Sequence, residues 1–276
     1  MKILIAADME GITGVTNWDQ VTPGHFEYPR FRKLMTQDVN AAIEGAFIAG
    51  ADDVLIADGH HLGSNILIEE LDARAHLNSG SPAPLSMVNG VDRQTAGVLF
   101  IGYHAQAQSK HAILDHTWSS SRVAGVWLHE KRVGEIGLNA AVCGHFGAPV
   151  IMISGDQTAC GEARDLLGPL EVAVVKHATG RMAAECLAPA VTAEKICEAA
   201  ARAVGQLKVG AETGEKPRPY QVDAPVKLTI QFHMAEMADR AALLPGAERL
   251  DGVRIQIQAP DMLTAYAAFR AAVSLA

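Results

Sequence analysis

Two carboxylates stand two residues apart, Asp8 and Glu10, after the short apolar run Lys2 to Ala7 and before Gly11. On extended chain, residues i and i+2 face the same side, so both acids would share one face. Charges that close repel each other unless something cationic lies between them. A solvated acidic turn, a divalent-metal site and a general acid/base pair all fit this pair taken alone. Two histidine contexts narrow the choice. His60 lies in Asp58-Gly59-His60-His61, where only one of two adjacent imidazoles can face a site, and His104 lies in Gly102-Tyr103-His104-Ala105. Two acids and two histidines at strand ends favour a metal site, with zinc first and manganese or cobalt next. Glu135, in Val133-Gly134-Glu135, opens a helical segment. An acid is also favourable there for the helix dipole alone. His116 follows in the loop after His104, a place that often carries an acid/base. His111, His129 and His145 fit as well, and spacing does not choose among them.

A largely parallel sheet must position these residues. Lys2 to Ala7 reads as a buried strand. Residues 29–49 have helical spacing (Phe31, Leu34, Met35, Val39, Ile43, Phe47), with Pro29 in the first turn and Gly50 as a stop. A second apolar strand, ending at Asp58-Gly59-His60, completes a βαβ unit. The same pattern predicts a strand over 96–105, a hairpin over 123–135 turning near Glu130 and Lys131, and a helix from Glu135 to Gly147. It continues with a strand over 148–156, a helix over 157–167 and a strand over 171–176. A helix over 191–207, N-capped by Thr192, then leads to a Gly- and Pro-rich loop over 208–223. Strand, helix, strand and helix follow at 225–232, 234–243, 252–258 and 260–275. The expected fold is therefore α/β, a mostly parallel sheet flanked by helices with a smaller C-terminal α+β domain. Residues 1–167 would carry the metal site and 168–276 the smaller domain, with the boundary anywhere from 168 to 224. Ligands of parallel sheets bind beyond the carboxyl ends of the strands, and three such ends here carry candidate ligands.

Composition excludes other classes. A 276-residue chain with 49% hydrophobic and 20% charged residues builds an ordinary core without staples. A formal charge of −8 with no basic run argues against nucleic acid and against an anionic membrane surface. The four cysteines, Cys143, Cys160, Cys186 and Cys197, form no C-x-x-C pair and read as small buried hydrophobes in a reducing compartment. No apolar run reaches the roughly 18 residues of a membrane span. Asp8 and Glu10 interrupt the first run too early for a signal peptide, so a cytoplasmic protein is expected. There is no G-x-S-x-G elbow and no phosphate-binding glycine loop.

Asp8-Met9-Glu10-Gly11, Asp58-Gly59-His60, Gly102-Tyr103-His104-Ala105, His116 and Gly134-Glu135-Ile136-Gly137-Leu138-Asn139-Ala140 together resemble the D-aminopeptidases of peptidase family M55. The likeness continues through Tyr28, Arg32, Met35-Thr36, Asn40, Gly155-Asp156, Lys176, Arg181, Cys186-Leu187-Ala188-Pro189 and Asp261-Met262, and so covers nearly the whole chain. It implies a zinc-dependent exopeptidase acting on short peptides with an N-terminal D-residue, such as D-Ala-D-Ala. By matching motifs, Asp8 would bridge two zinc ions per subunit, Glu10, His60, His104 and Glu135 would be the other ligands, and His116 the catalytic histidine. It also implies a ring-shaped homodecamer that encloses its active sites. Two departures stand out. Ala6 replaces the family's serine two residues before the bridging aspartate, and the 105–115 loop is one residue longer. Ligand types alone also admit a dinuclear hydrolase of another amide, a modified peptide or a phosphoester. A non-catalytic peptide-binding protein is the remaining alternative, disfavoured by the complete motif set.

Overall fold

The computed structural model describes residues 1–276, the side chain of Ala211 excepted. The first half contains β1 (Lys2–Ala7), α1 (Tyr28–Ile48), β2 (Asp53–Asp58), β3 (His76–Asn78), β4 (Thr95–Ile101), β5 (Val123–Leu128), β6 (Lys131–Val133) and α2 (Glu135–His145). Then come β7 (Val150–Asp156), α3 (Gln157–Leu167), β8 (Glu171–Gly180), β9 (Ala183–Cys186) and α4 (Pro189–Thr213). The chain closes with β10 (Val226–Phe232), α5 (Ala235–Ala241), β11 (Ala247–Arg249), β12 (Arg254–Ala259) and α6 (Met262–Leu275).

Seven strands form one sheet in the order β3-β2-β1-β4-β7-β8-β9. All its pairings are parallel except β8 with β9. Five strands form a second, antiparallel sheet in the order β11-β12-β10-β5-β6. The mostly parallel α/β architecture expected from the sequence is present. The expected division at residue 168 does not separate the sheets, because β8 and β9 join the first and the hairpin β5-β6 joins the second. Pairing partners decide this, and periodicity along one strand carries no information about them.

β1 lies inside the larger sheet, between β2 and β4, and is buried on both faces, which is why it reads as an unbroken apolar run. Ile3, Ile5 and Ala7 join a core with residues of α1 and α4. Leu4 and Ala6 face a second core that continues through α2 and α6 into the smaller sheet. Ala6 is a core residue of that second cluster.

Two boundaries differ from expectation. α4 starts at Pro189, so Thr192 lies inside its first turn, where its hydroxyl donates to Pro189 O at 3.0 Å. The same helix runs past residue 207 to Thr213 and ends at Gly214, whose left-handed backbone (φ 85°) costs glycine nothing. Cys143 and Cys160 are buried as expected, whereas Cys186 is exposed at the end of the edge strand β9.

At the carboxyl end of β1 the chain presses against the segment after β4. Gly11 N–H donates to Gly102 O at 2.7 Å, and a Cβ on Gly11 would lie 1.9 Å from Tyr103 O. Gly11 is therefore required by close backbone approach rather than by a turn. Gly11→Ala should cost about 1–3 kcal/mol of stability, the usual range for overpacking. Urea denaturation measures it, and an unchanged midpoint would mean the 102–103 segment yields freely.

Candidate metal centre

The carboxyl ends of β1, β2 and β4 and the start of α2 converge on one buried cluster. Asp8 directly follows β1 and is held there by its N–H donating to Ile101 O at 2.8 Å. Its Oδ1 is 3.3 Å from His60 Nδ1, and Glu10 Oε2 is 3.1 Å from that same nitrogen. Its Oδ2 is 3.4 Å from His104 Nε2, and Glu135 Oε1 is 3.2 Å from that nitrogen. Asp8 thus meets both imidazoles, with Glu10 beside it at His60 and Glu135 beside it at His104. His116 stacks on His104 with ring centroids 4.0 Å apart and 12° between planes. Its Nε2 is 3.7 Å from Glu135 Oε1 and 4.0 Å from Glu10 Oε1. His111 and His145 are exposed elsewhere, and His129 donates Nε2–H to Asp223 O.

Backbone carbonyls fix which nitrogen each imidazole offers. His60 Nε2 donates to Val21 O at 2.8 Å, so Nδ1 faces the acids as a lone pair when the ring is neutral. His104 Nδ1 donates to Ala105 O at 3.0 Å, which leaves Nε2 inward. His116 Nδ1 donates to Leu114 O at 2.8 Å, again leaving Nε2 inward. A carbonyl behind the ring is how proteins orient metal-binding histidines.

Burial and charge set the protonation of the cluster. Burial, then the Glu10 charge, pushes the Asp8 carboxyl above its usual value. Burial also opposes ionisation of Glu10, but the facing His60 and His104 outweigh it and hold that carboxyl below the usual range. For His60 and His104 burial works against the cation, and the surrounding carboxylates overcome it, raising both well above the ordinary histidine value. His116 goes the other way, pushed down to about 4 by burial and by its His104 neighbour. Three inward atoms, Asp8 Oδ2, Glu10 Oε2 and His104 Nε2, are buried without a hydrogen-bond partner. Asp8, Glu10 and His104 offer ligand atoms within 4.8 Å of one another, as do His104, His116 and Glu135. Orphaned oxygen and nitrogen donors at that spacing fit a divalent cation of the zinc type.

Several residues that hold this geometry have no functional signature in the sequence. Lys176 on β8 has 0% exposure, and its ammonium donates to the carbonyls of Glu10, Ile12 and Val15 at 2.7, 2.8 and 2.8 Å. All three of its donors are thereby used to pin the loop that bears Glu10. Burial pushes its pKa down to about 8. Asp58 accepts from the N–H groups of Asn65 and Ile66 and from Asn65 Nδ2, which also donates to His60 O. Asp115 accepts from Gln108 N–H, Ser109 N–H and Arg181 Nε, which clamps the loop carrying His116. Trp118 N–H donates to Glu135 Oε1 at 2.7 Å. Lys176 and Arg181 entered the sequence reading only as matched positions. Their partners come from distant strands and loops, and one-dimensional spacing does not show them.

The cluster forms the floor of a cavity of about 670 Å³, walled by Trp18, His61, Ser81, Pro82, Met87, Trp118, Ser119 to Ser121 and Arg270 among others. A carboxylate–imidazole centre at parallel strand ends, opening into a cavity of this size, defines an α/β enzyme of the metal-dependent hydrolase type. Comparison with known proteins makes the class specific. The chain belongs to the peptidase M55 family, described as D-aminopeptidase, whose model matches residues 1–271. It is 38% identical to a D-aminopeptidase of Bacillus subtilis (strain 168) over 281 residues, covering 100% of this chain and 98% of the relative. Among solved structures it matches the Zn-dependent D-aminopeptidase DppA from Bacillus subtilis, described as a self-compartmentalizing protease. That match has a TM-score of 0.94 and 36% identity, with 100% of this chain and 97% of the other covered.

Lys176→Met should unfold the Glu10 loop locally, because it leaves three buried carbonyls without donors at about 1–3 kcal/mol each. Thermal denaturation and amide exchange over residues 10–15 report this. Wild-type exchange in that segment would contradict the clamp.

Proposed function

We propose that this protein is a zinc-dependent, D-stereospecific aminopeptidase that hydrolyses short peptides with an N-terminal D-residue, such as D-Ala-D-Ala. Its site would take two zinc ions per subunit. Asp8 would bridge them, His60 and Glu10 would complete one half-site, and His104 and Glu135 the other. The observation that carries the reading is the meeting of Asp8 with both imidazoles, each imidazole locked from behind and its free nitrogen aimed at buried acids. Membership of the family, and a zinc-dependent structural relative at 36% identity, support the metal and the reaction.

Bound zinc would supply Lewis acidity towards the scissile carbonyl and lower the pKa of water at the site. The chain's own residues do the rest. His116, with Nδ1–H committed to Leu114 O and its cation disfavoured by burial, offers Nε2 as a proton acceptor. It takes a proton from the attacking water as the C–O bond forms, then returns it to the departing nitrogen as the C–N bond breaks. This order is preferred over stabilisation of the oxyanion by a neutral His116, because Nε2 then carries no hydrogen to donate. Trp18 packs edge-on against the His116 ring at 5.4 Å and keeps it over the acids. The substrate's free amine would bind at this same centre, to metal or to one of the acids, which restricts cleavage to the first peptide bond. A closed homo-oligomeric ring, a decamer by the family resemblance, would enclose these sites. Among the described residues no helix is long and apolar enough to cross a membrane.

D-Ala-p-nitroanilide should be hydrolysed in a chelator-sensitive manner and its L-isomer far more slowly, by protein carrying close to two zinc ions per chain. Replacing His116 with Ala should lower turnover by about 10²–10⁴ while zinc content stays unchanged. Equal rates on both isomers would contradict the stereospecific reading, and full activity of H116A would contradict the role of His116.

A further inference from the structure

Apart from the residues that would hold metal, the cavity above the cluster has one lysine or arginine among the described residues, Arg270 on α6. Arg270 is half-buried, and its guanidinium donates once, from Nη1 to Pro84 O at 2.7 Å. It also lies over the Tyr266 ring, 5.8 Å from the centroid. No carboxylate pairs with it among the described residues, and among the arginines without one it alone lines this cavity. The Pro84 bond and the aromatic face hold the planar fork in place and leave its other N–H donors free for a planar, anionic partner. Ser274, four residues on, also lines the cavity, but its hydroxyl donates to Arg270 O at 2.8 Å, so the guanidinium is the donor left for an anion there.

We propose that Arg270 is the subsite for the free C-terminal carboxylate of a short peptide substrate, so that the enzyme reads both ends of a zwitterionic dipeptide. The proposal rests on the D-aminopeptidase reading and adds to it the residue that selects for a free carboxyl terminus. Outside the metal ligands, Arg270 offers such a carboxylate an already oriented guanidinium, and a charge-assisted bidentate pair there is worth more than a neutral hydrogen bond. An amide or ester in place of the carboxylate loses that gain while keeping the ammonium, the scissile bond and the side chains.

The test compares D-Ala-D-Ala with its C-terminal amide, on zinc-loaded wild type and on Arg270→Met and Arg270→Lys. For R270M, kcat/KM on the free dipeptide should fall by about 10- to 100-fold, mainly through KM, and by less than about threefold on the amide. R270K, which keeps the charge but loses the fork, should fall between wild type and R270M on the free dipeptide. Equal losses on both substrates would overturn the proposal, because Arg270 would then act only by bracing the loop at Pro84. Wild-type indifference between the dipeptide and its amide would also overturn it. If zinc-loaded wild type turned over neither substrate, the D-aminopeptidase reading itself would fall, and the proposal with it.

Discussion

Everything at this site follows from burying three carboxylates side by side at the base of a cavity. Oxygens of Asp8 and Glu10 lie within 4.8 Å of each other. At that separation two ionised carboxylates repel by about 3.5 kcal/mol even with an effective dielectric near 20. Glu135 adds a third acid on the far side of His104. Such a cluster persists only if positive charge enters it, as protons on the imidazoles or as metal ions. In the protein without metal, protons fill that role, which is why His60 and His104 are raised and the Glu10 carboxyl is lowered. Divalent ions would replace those protons at the same nitrogens, so metal uptake and proton release are two sides of one equilibrium.

The surrounding structure is built to keep that strained arrangement rigid. Asp8 is placed by a central strand, with parallel neighbours on both sides. Glu10 sits on a loop whose carbonyls are taken up by a fully buried lysine. The loop carrying His116 has Gln108, His111, Leu114 and Trp118 at positive φ, a conformation that costs a non-glycine residue roughly 1–2 kcal/mol. The Asp115–Arg181 pair and the Trp118–Glu135 hydrogen bond hold the loop in that shape, and strain of this kind collects where a side chain must be aimed. The result is an imidazole stacked on one candidate ligand and directed at two others.

The residues that meet at this cluster, and the parallel α/β class, were legible in the sequence to different degrees. Asp8, Glu10, His60 and His104 were legible because each follows an apolar strand, and strand ends of a parallel sheet share a rim by geometry. Glu135 and His116 were not selected by pattern. An acid at a helix start and one loop histidine among several look alike until the chain is folded, and only the family motifs singled them out. The split between sheets was not legible either, because β5-β6 and β8-β9 carry ordinary strand patterns and their partners are distant in sequence. Asp58, beside His60, resembles a ligand in sequence, yet its oxygens are spent on Asn65 and Ile66. Arg270 lies 135 residues beyond Glu135, and nothing in α6 marks it as part of a cavity wall until the helix packs.

The central proposal is that Asp8 would be shared by two metal ions, with His60 and Glu10 on one side and His104 and Glu135 on the other. Crystals of the zinc-loaded protein, measured on both sides of the zinc absorption edge, test it directly. Two anomalous peaks are expected, both within ligand distance of the Asp8 carboxylate, about 2 Å, one also beside His60 and Glu10 and the other beside His104 and Glu135. A single peak at full occupancy, or two peaks that do not share Asp8, would contradict it.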